Sequence, residues 1–183
     1  DSSTLINKVY ELIEAKKIFE LNYDKFEIII QPTSYVHAIV EFNNGVCKVL
    51  THPTSMKIPI YNSLLFNNKI LNLSENLDIY KMNNLNFQKI DESKFPVFKL
   101  LKKLKNIDSL YETVLVASND VLAEQFLNEK IKFFDIYKIL NKVLSLKEYK
   151  QYKFLKPQNI TQITKLSENV RLKTLSLSVQ SKF

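Results

Sequence analysis

One glycine among 183 residues constrains this chain more than any other feature. Doubly wound nucleotide-binding domains place glycines where the backbone must approach a phosphate. Gly45 is the only candidate, and it follows Asn43-Asn44. Asparagine and glycine accept positive φ, so this tripeptide reads as the turn of a hairpin. The sequence therefore holds no glycine-rich phosphate loop, and a nucleotide cofactor has to be bound by something outside it.

Other broad classes fall away in turn. Hydrophobic residues make up 45% of the chain, enough to build a core. No run reaches the roughly 18 apolar residues that span a bilayer, so no membrane partner is expected. No basic, apolar leader opens the sequence, and nothing marks secretion. The single cysteine, Cys47, excludes an internal disulfide. It sits in an apolar–polar alternation and is expected to be a small packed side chain. The formal charge is +7, and Arg171 is the only arginine. Arginine is the residue that reads guanine edges and stacks on bases, so the lysines are read as a solvated face and no nucleic-acid partner is expected. One local cluster, Lys99, Lys102, Lys103 and Lys105, keeps an anionic partner as the rival reading.

The fold expected is α+β: a helix and an antiparallel hairpin sheet, followed by an all-α bundle. Residues 4–21 show helical spacing, with Leu5, Val9, Leu12, Ile13 and Phe19 on one side and Ser2 or Ser3 as N-cap. Phe26–Ile30 reads as a buried strand, Tyr35–Phe42 as a second, and Val46–Leu50 as the strand returning from the hairpin turn. A short helix is expected after Pro59. The Asn-rich stretch that follows reads as a connection with brief extended pieces. The divisions are residues 1–70, a linker at 71–94, and a helical domain at 95–183. In that last part Val97–Leu104 reads as an amphipathic helix. Three more are expected to start at caps on Ser118/Asn119, Asp135 and Asn159. They should bury Val121, Leu122, Phe126 and Leu127; Ile136, Ile139, Leu140, Val143 and Leu144; and Ile160, Ile163, Leu166, Val170 and Leu175. Their spacing suits a bundle rather than a coiled coil.

The polar residues that carry chemistry gather at the first helix. Its N-terminus presents unpaired N–H groups and the positive end of the dipole, which favours an anion. Ser2, Ser3 and Thr4 add hydroxyls, Asn7 an amide, and Lys8 a charge. Together they describe a phosphate site. Glu11 would repel a phosphate unless a cation stood between them, which points to a divalent metal or a proton-transfer role. The plain alternative is a capped surface helix with a Lys8–Glu11 pair worth a few tenths of a kcal/mol. His37, in an alternating strand, reads as a hydrogen-bonded structural residue before a catalyst. His52 precedes Pro53 and reads as loop.

"DSSTLINKVYELIEAKKIF" resembles the D-S-A-T-[LM]-[MV]-N-K-G-[LF]-E-x-I-E-A segment of the 1-deoxy-D-xylulose 5-phosphate reductoisomerase family. "IIIQPTSYVHAIVEFNNG", "HPTSMKIPIYNSLLF", "LNFQKIDESKFPVFKL" and "TVLVASNDVLAEQFLNEKIKFFDI" resemble further segments of that family, in the same order. The resemblance implies the end of a catalytic and dimerisation domain, a linker and a C-terminal helical bundle, with the NADP-binding domain upstream. It implies that Ser2, Asn7 and Lys8 bind the substrate phosphate and a nearby hydroxyl. It also implies that Glu11 is one ligand of Mg²⁺ or Mn²⁺, the others and a catalytic lysine lying upstream. Lys8 and Glu11 are thus the residues nearest the chemistry, with Glu14 and His37 as supporting groups. The implied reaction is a metal-assisted rearrangement of a ketose phosphate, then reduction by NADPH bound elsewhere. The setting implied is a homodimer through the sheet, in the cytoplasm or, in a eukaryote, a plastid-type organelle. The chain alone is expected to be inactive. Two rivals remain: a dimerisation module without catalysis, and a lysine-rich nucleic-acid binder. Val9 departs from the family glycine, Ser3 from its alanine, and Gln31 from a histidine. Ala38 stands for a serine, and Val116 and Ser118 stand for Asn and Ala.

Overall fold

The computed structural model describes residues 1–64 and 78–180. They fall into two compact units, one made of Asp1–Glu27 with Asp91–Phe183, the other of Ile28–Ile90. The units follow contact rather than sequence order, because the first helix is grouped with the helices of the C-terminal half. The stretch 65–77, which holds the 70/71 division and the start of the expected linker, lies outside the described residues.

The first unit is helical. Helix α1 spans Ile6–Phe19. Ile6, Val9, Ile13 and Lys16 form its buried stripe, at intervals of three and four residues. Phe19, expected inside, is 67% exposed. After a 3₁₀ segment at Pro96–Lys103 come α4 (Leu110–Leu127), α5 (Phe133–Leu144), the short α6 (Lys147–Lys150) and α7 (Ile160–Gln180). Helix α4 packs against both α5 and α7. It buries Leu110, Tyr111, Val114, Leu115, Ala117, Val121 and Leu122, so it is apolar over most of its circumference, as a central helix must be. Its start differs from the expected cap. Ser118 and Asn119 lie mid-helix and are fully buried. Ser118 is satisfied by donating to the Val114 carbonyl, 2.6 Å away. Phe126 and Leu127 are exposed at the helix end.

Helix α5 buries all five residues expected of it. Asp135 is not its N-cap but stands three residues in, where its carboxylate accepts from the Lys132 N–H at 3.1 Å. Asn159 does cap α7, accepting from the Gln162 N–H at 2.8 Å. The buried line of α7 runs Leu166, Val170, Thr174, Leu177 and Ser178, and Ile160 and Leu175 are exposed instead. The segment Val97–Leu104 is 3₁₀ rather than α, yet Val97, Phe98, Leu100 and Leu104 are buried.

The second unit holds two antiparallel ladders. Strands β2 (Val36–Glu41) and β3 (Cys47–Thr51) pair across the turn, with Ile39 opposite Val49 and Val40 opposite Lys48. Gly45 has φ 83° there, its N–H bonding the Phe42 carbonyl at 2.9 Å. The turn is the one read from Asn43-Asn44-Gly45. The expected strand at Phe26–Ile30 shrinks to β1 (Ile29–Ile30), half exposed and paired with β4 (Gln88–Lys89). Helix α2 (Lys57–Leu64) takes Pro59 in its first turn, where a missing N–H costs nothing, and α3 (Ile79–Asn83) is capped by Asp78. Cys47 is exposed, against expectation, because both faces of the β2–β3 hairpin are open.

Candidate active site

The polar face of α1 forms opposite its buried stripe. Val9, at the family's glycine position, points inward and is fully buried. Glu11 and Glu14 are exposed and Asn7 half-buried on the other side. The same helix thus carries a core face and a polar face from one periodicity.

The helix start is not the Ser cap read from sequence. Leu5 holds the N-cap position in the left-handed region at φ 59°, and no side chain there caps the helix. Such a conformation in a branched residue costs about 1 kcal/mol or more. The preceding segment folds back on itself. The Leu5 N–H bonds the Ser2 carbonyl at 3.0 Å, and the Thr4 hydroxyl donates to the Asp1 carbonyl at 2.9 Å. The Ser2 side chain is left exposed beside the helix start.

Lys8 sits in the first turn, and no acidic residue does. A helix tuned for stability alone places carboxylates there, since a lysine faces the positive end of the dipole. Lys8 Nζ instead meets both Glu11 oxygens at 2.8 and 2.7 Å, with both side chains about half exposed. An exposed pair of this kind contributes well under 1 kcal/mol, so it is easily exchanged for a bound ligand. The arrangement gathers Ser2, Asn7, Lys8 and Glu11 around one helix start.

The helix is firmly seated on its other side. Lys16, 7% exposed, donates to Asp108 at 3.0 Å, and this bond holds the Asp108 carboxyl below its usual range. Lys17 pairs with the buried Glu112 at 2.5 Å. The Tyr23 hydroxyl lies 3.4 Å from Glu112, and burial, then that carboxylate, push its pKa well up.

Glu11 offers a hard oxygen donor of the kind Mg²⁺ and Mn²⁺ take. Among the described residues no group of three or more His, Cys, Asp or Glu side chains gathers to hold an ion. Glu11 therefore fits as one ligand of a site that needs others. His37 belongs to the second unit, where it stacks on His52 with ring centroids 3.5 Å apart, and its Nε2 lies 3.0 Å from the His52 carbonyl. The expected lysine cluster divides, because Lys102 pairs with Glu92 while Lys103 donates to Asn141. Asn119, expected as a cap, donates its amide to the Asp1 carboxylate at 2.9 Å. The signal was a lone amide inside the apolar run "VLVASNDVL".

The chain is α+β, with a helical unit, a hairpin sheet and a first helix whose opening turn carries a lysine and no acid. Residues 52–173 match the family described as the DXP reductoisomerase C-terminal domain, and the chain belongs to that family. It is 53% identical to the 1-deoxy-D-xylulose 5-phosphate reductoisomerase of Pelagibacter ubique over 98% of its own length, and covers 46% of that protein. A solved reductoisomerase from Zymomonas mobilis in complex with NADPH matches 97% of the chain with a TM-score of 0.83 and 29% identity. Another, in complex with NADPH, fosmidomycin and magnesium, matches 98% with a TM-score of 0.88 and 29% identity. The chain spans about half the length of each of these relatives. They do not favour the nucleic-acid reading or that of a module without catalysis. Among the described residues no helix is long and apolar enough to cross a membrane.

Proposed function

We propose that this chain supplies the substrate-phosphate grip and one metal ligand of a 1-deoxy-D-xylulose 5-phosphate reductoisomerase, which forms 2-C-methyl-D-erythritol 4-phosphate with NADPH. The observation that carries this reading is the α1 start. A lysine and no acid occupy its first turn, the half-buried Asn7 and the exposed Glu11 and Glu14 share its polar face, and the opposite face is locked into the helical unit. Ser2 and Asn7 donate to the phosphate and a neighbouring hydroxyl, and Lys8 supplies the counter-charge after leaving Glu11. Binding energy taken from the unreactive phosphate orients the reacting carbons. Glu11 holds a divalent cation, Mg²⁺ or Mn²⁺, together with ligands from elsewhere in the enzyme. That ion, when bound, polarises the substrate's oxygens as a Lewis acid. NADPH is bound outside this chain, in keeping with its single glycine.

The β2–β3 hairpin is the proposed homodimer contact. Ile39, Val40, Val46, Val49 and Leu50 are all at least 40% exposed, a density of apolar side chains that marks interaction surfaces.

The test is a chimera in which this chain replaces the matching part of the Pelagibacter ubique relative. Ser2→Ala or Lys8→Ala should raise KM for the phosphorylated ketose at least about tenfold, the size of a lost charge-assisted hydrogen bond. An unchanged KM in both would overturn the reading.

A further inference from the structure

The Asn119 side chain is 1% exposed in the middle of α4, and its amide donates to Asp1 Oδ1 at 2.9 Å across 118 residues of sequence. Burying an amide in an apolar helix is costly unless it is bonded, so this contact is the condition for Asn119 to sit there. The neighbouring Asp120 pairs with Arg171 of α7. The Tyr10 hydroxyl of α1 is buried beside Asn119, and burial, then the charge of Asp120, raise its pKa.

The bond ties α4 to the residues that lead into α1. A cavity of about 200 Å³ lies between Asp1, Ser3 and Thr4 on one side and Asn119, Phe126 and Phe133 on the other. Asn119 to Asp1 is a polar link across it. Asp1 in turn starts the turn that carries Ser2, since its carbonyl receives the Thr4 hydroxyl and the Ser2 carbonyl receives the Leu5 N–H.

We propose that Asn119 is a positioning residue: through Asp1 it sets the Ser2 turn against α1, so that the helical unit holds the phosphate grip in place. This rests on the phosphate reading of Ser2 and Lys8. Asn119 touches no reacting group. Its loss should loosen phosphate binding and leave the chemical step alone.

The chimera tests it. Asn119→Ala and Asp1→Ala should each raise KM for the phosphorylated ketose about tenfold, with kcat within about threefold. Asp1→Ala leaves the α4 side chain itself unaltered, which keeps the test open if Asn119→Ala fails to fold. Asn119→Asp sets two carboxylates against each other and should be worse. Adding Asp1→Asn to it reverses donor and acceptor and should restore KM to within about threefold, which a merely structural role for position 119 would not do. Unchanged KM in Asp1→Ala, or no rescue in the double variant, overturns the proposal. If Ser2→Ala and Lys8→Ala also leave KM unchanged, the phosphate reading itself has failed. If they raise it while Asp1→Ala does not, only the positioning role has.

Discussion

Replacing Val9 by the glycine its family carries should destabilise this chain. Val9 is fully buried between Ile6 and Ile13 on the inner face of α1. Removing its side chain takes roughly three carbons out of the core, at about 0.8 kcal/mol each. Glycine in a helix interior adds a net penalty of about 0.5 kcal/mol over valine. The expected loss is therefore about 3 kcal/mol. Urea unfolding followed by circular dichroism should show a lower midpoint with an unchanged slope. Val9→Ala separates the two contributions. It should cost about 1–1.5 kcal/mol, since two carbons leave while helix propensity improves. A loss under about 1 kcal/mol for Val9→Gly would mean that the side chain packs against little.

Other consequences follow from the same contacts. Asp108→Ala leaves the buried Lys16 ammonium without its partner and should cost about 1–3 kcal/mol, whereas Lys16→Met should cost less, read in the same unfolding experiment. Tyr111→Phe removes a buried 2.6 Å bond to the Leu144 carbonyl and should cost about 1 kcal/mol. Burial holds the Tyr111 and Tyr149 phenols up at about 12, above the ordinary tyrosine range. The unfolded chain loses these protons first, so their contribution is complete below about pH 10 and is lost as pH rises towards 12, which a pH series of midpoints would show. Val49→Lys with Leu50→Lys should abolish self-association in sedimentation while leaving the helical signal intact.

What the sequence made legible was whatever periodicity or turn chemistry expresses directly. Asn43-Asn44-Gly45 gave the hairpin because few other residues tolerate its geometry. In helix α5 the five expected residues are buried because they recur at three- and four-residue spacing, although Phe134 stays outside that face and the helix starts before Asp135. Helix α4 was misplaced for the opposite reason. "YETVLVAS" is apolar nearly all round and rich in β-branched residues, so it shows no amphipathic period, and the first polar pair inside it looked like a cap. The strand at Phe26–Ile30 failed because a run of isoleucines reports burial potential and not a partner, and only two residues find one. At the candidate site the stripe of Asn7, Glu11 and Glu14 was visible from spacing. The left-handed Leu5 and the bond from Asn119 to Asp1 were not, since both depend on how distant segments meet.

Glu11 is where the account is most exposed. In the chimera, Glu11→Gln keeps the shape of the side chain and removes its charge. The account predicts that the Mn²⁺ concentration giving half-maximal activity rises at least about tenfold, with maximal activity reduced, because a ligand of the ion has been weakened. Activity and Mn²⁺ dependence equal to those of the unaltered chimera would contradict it. Glu11 would then be no more than the surface partner of Lys8.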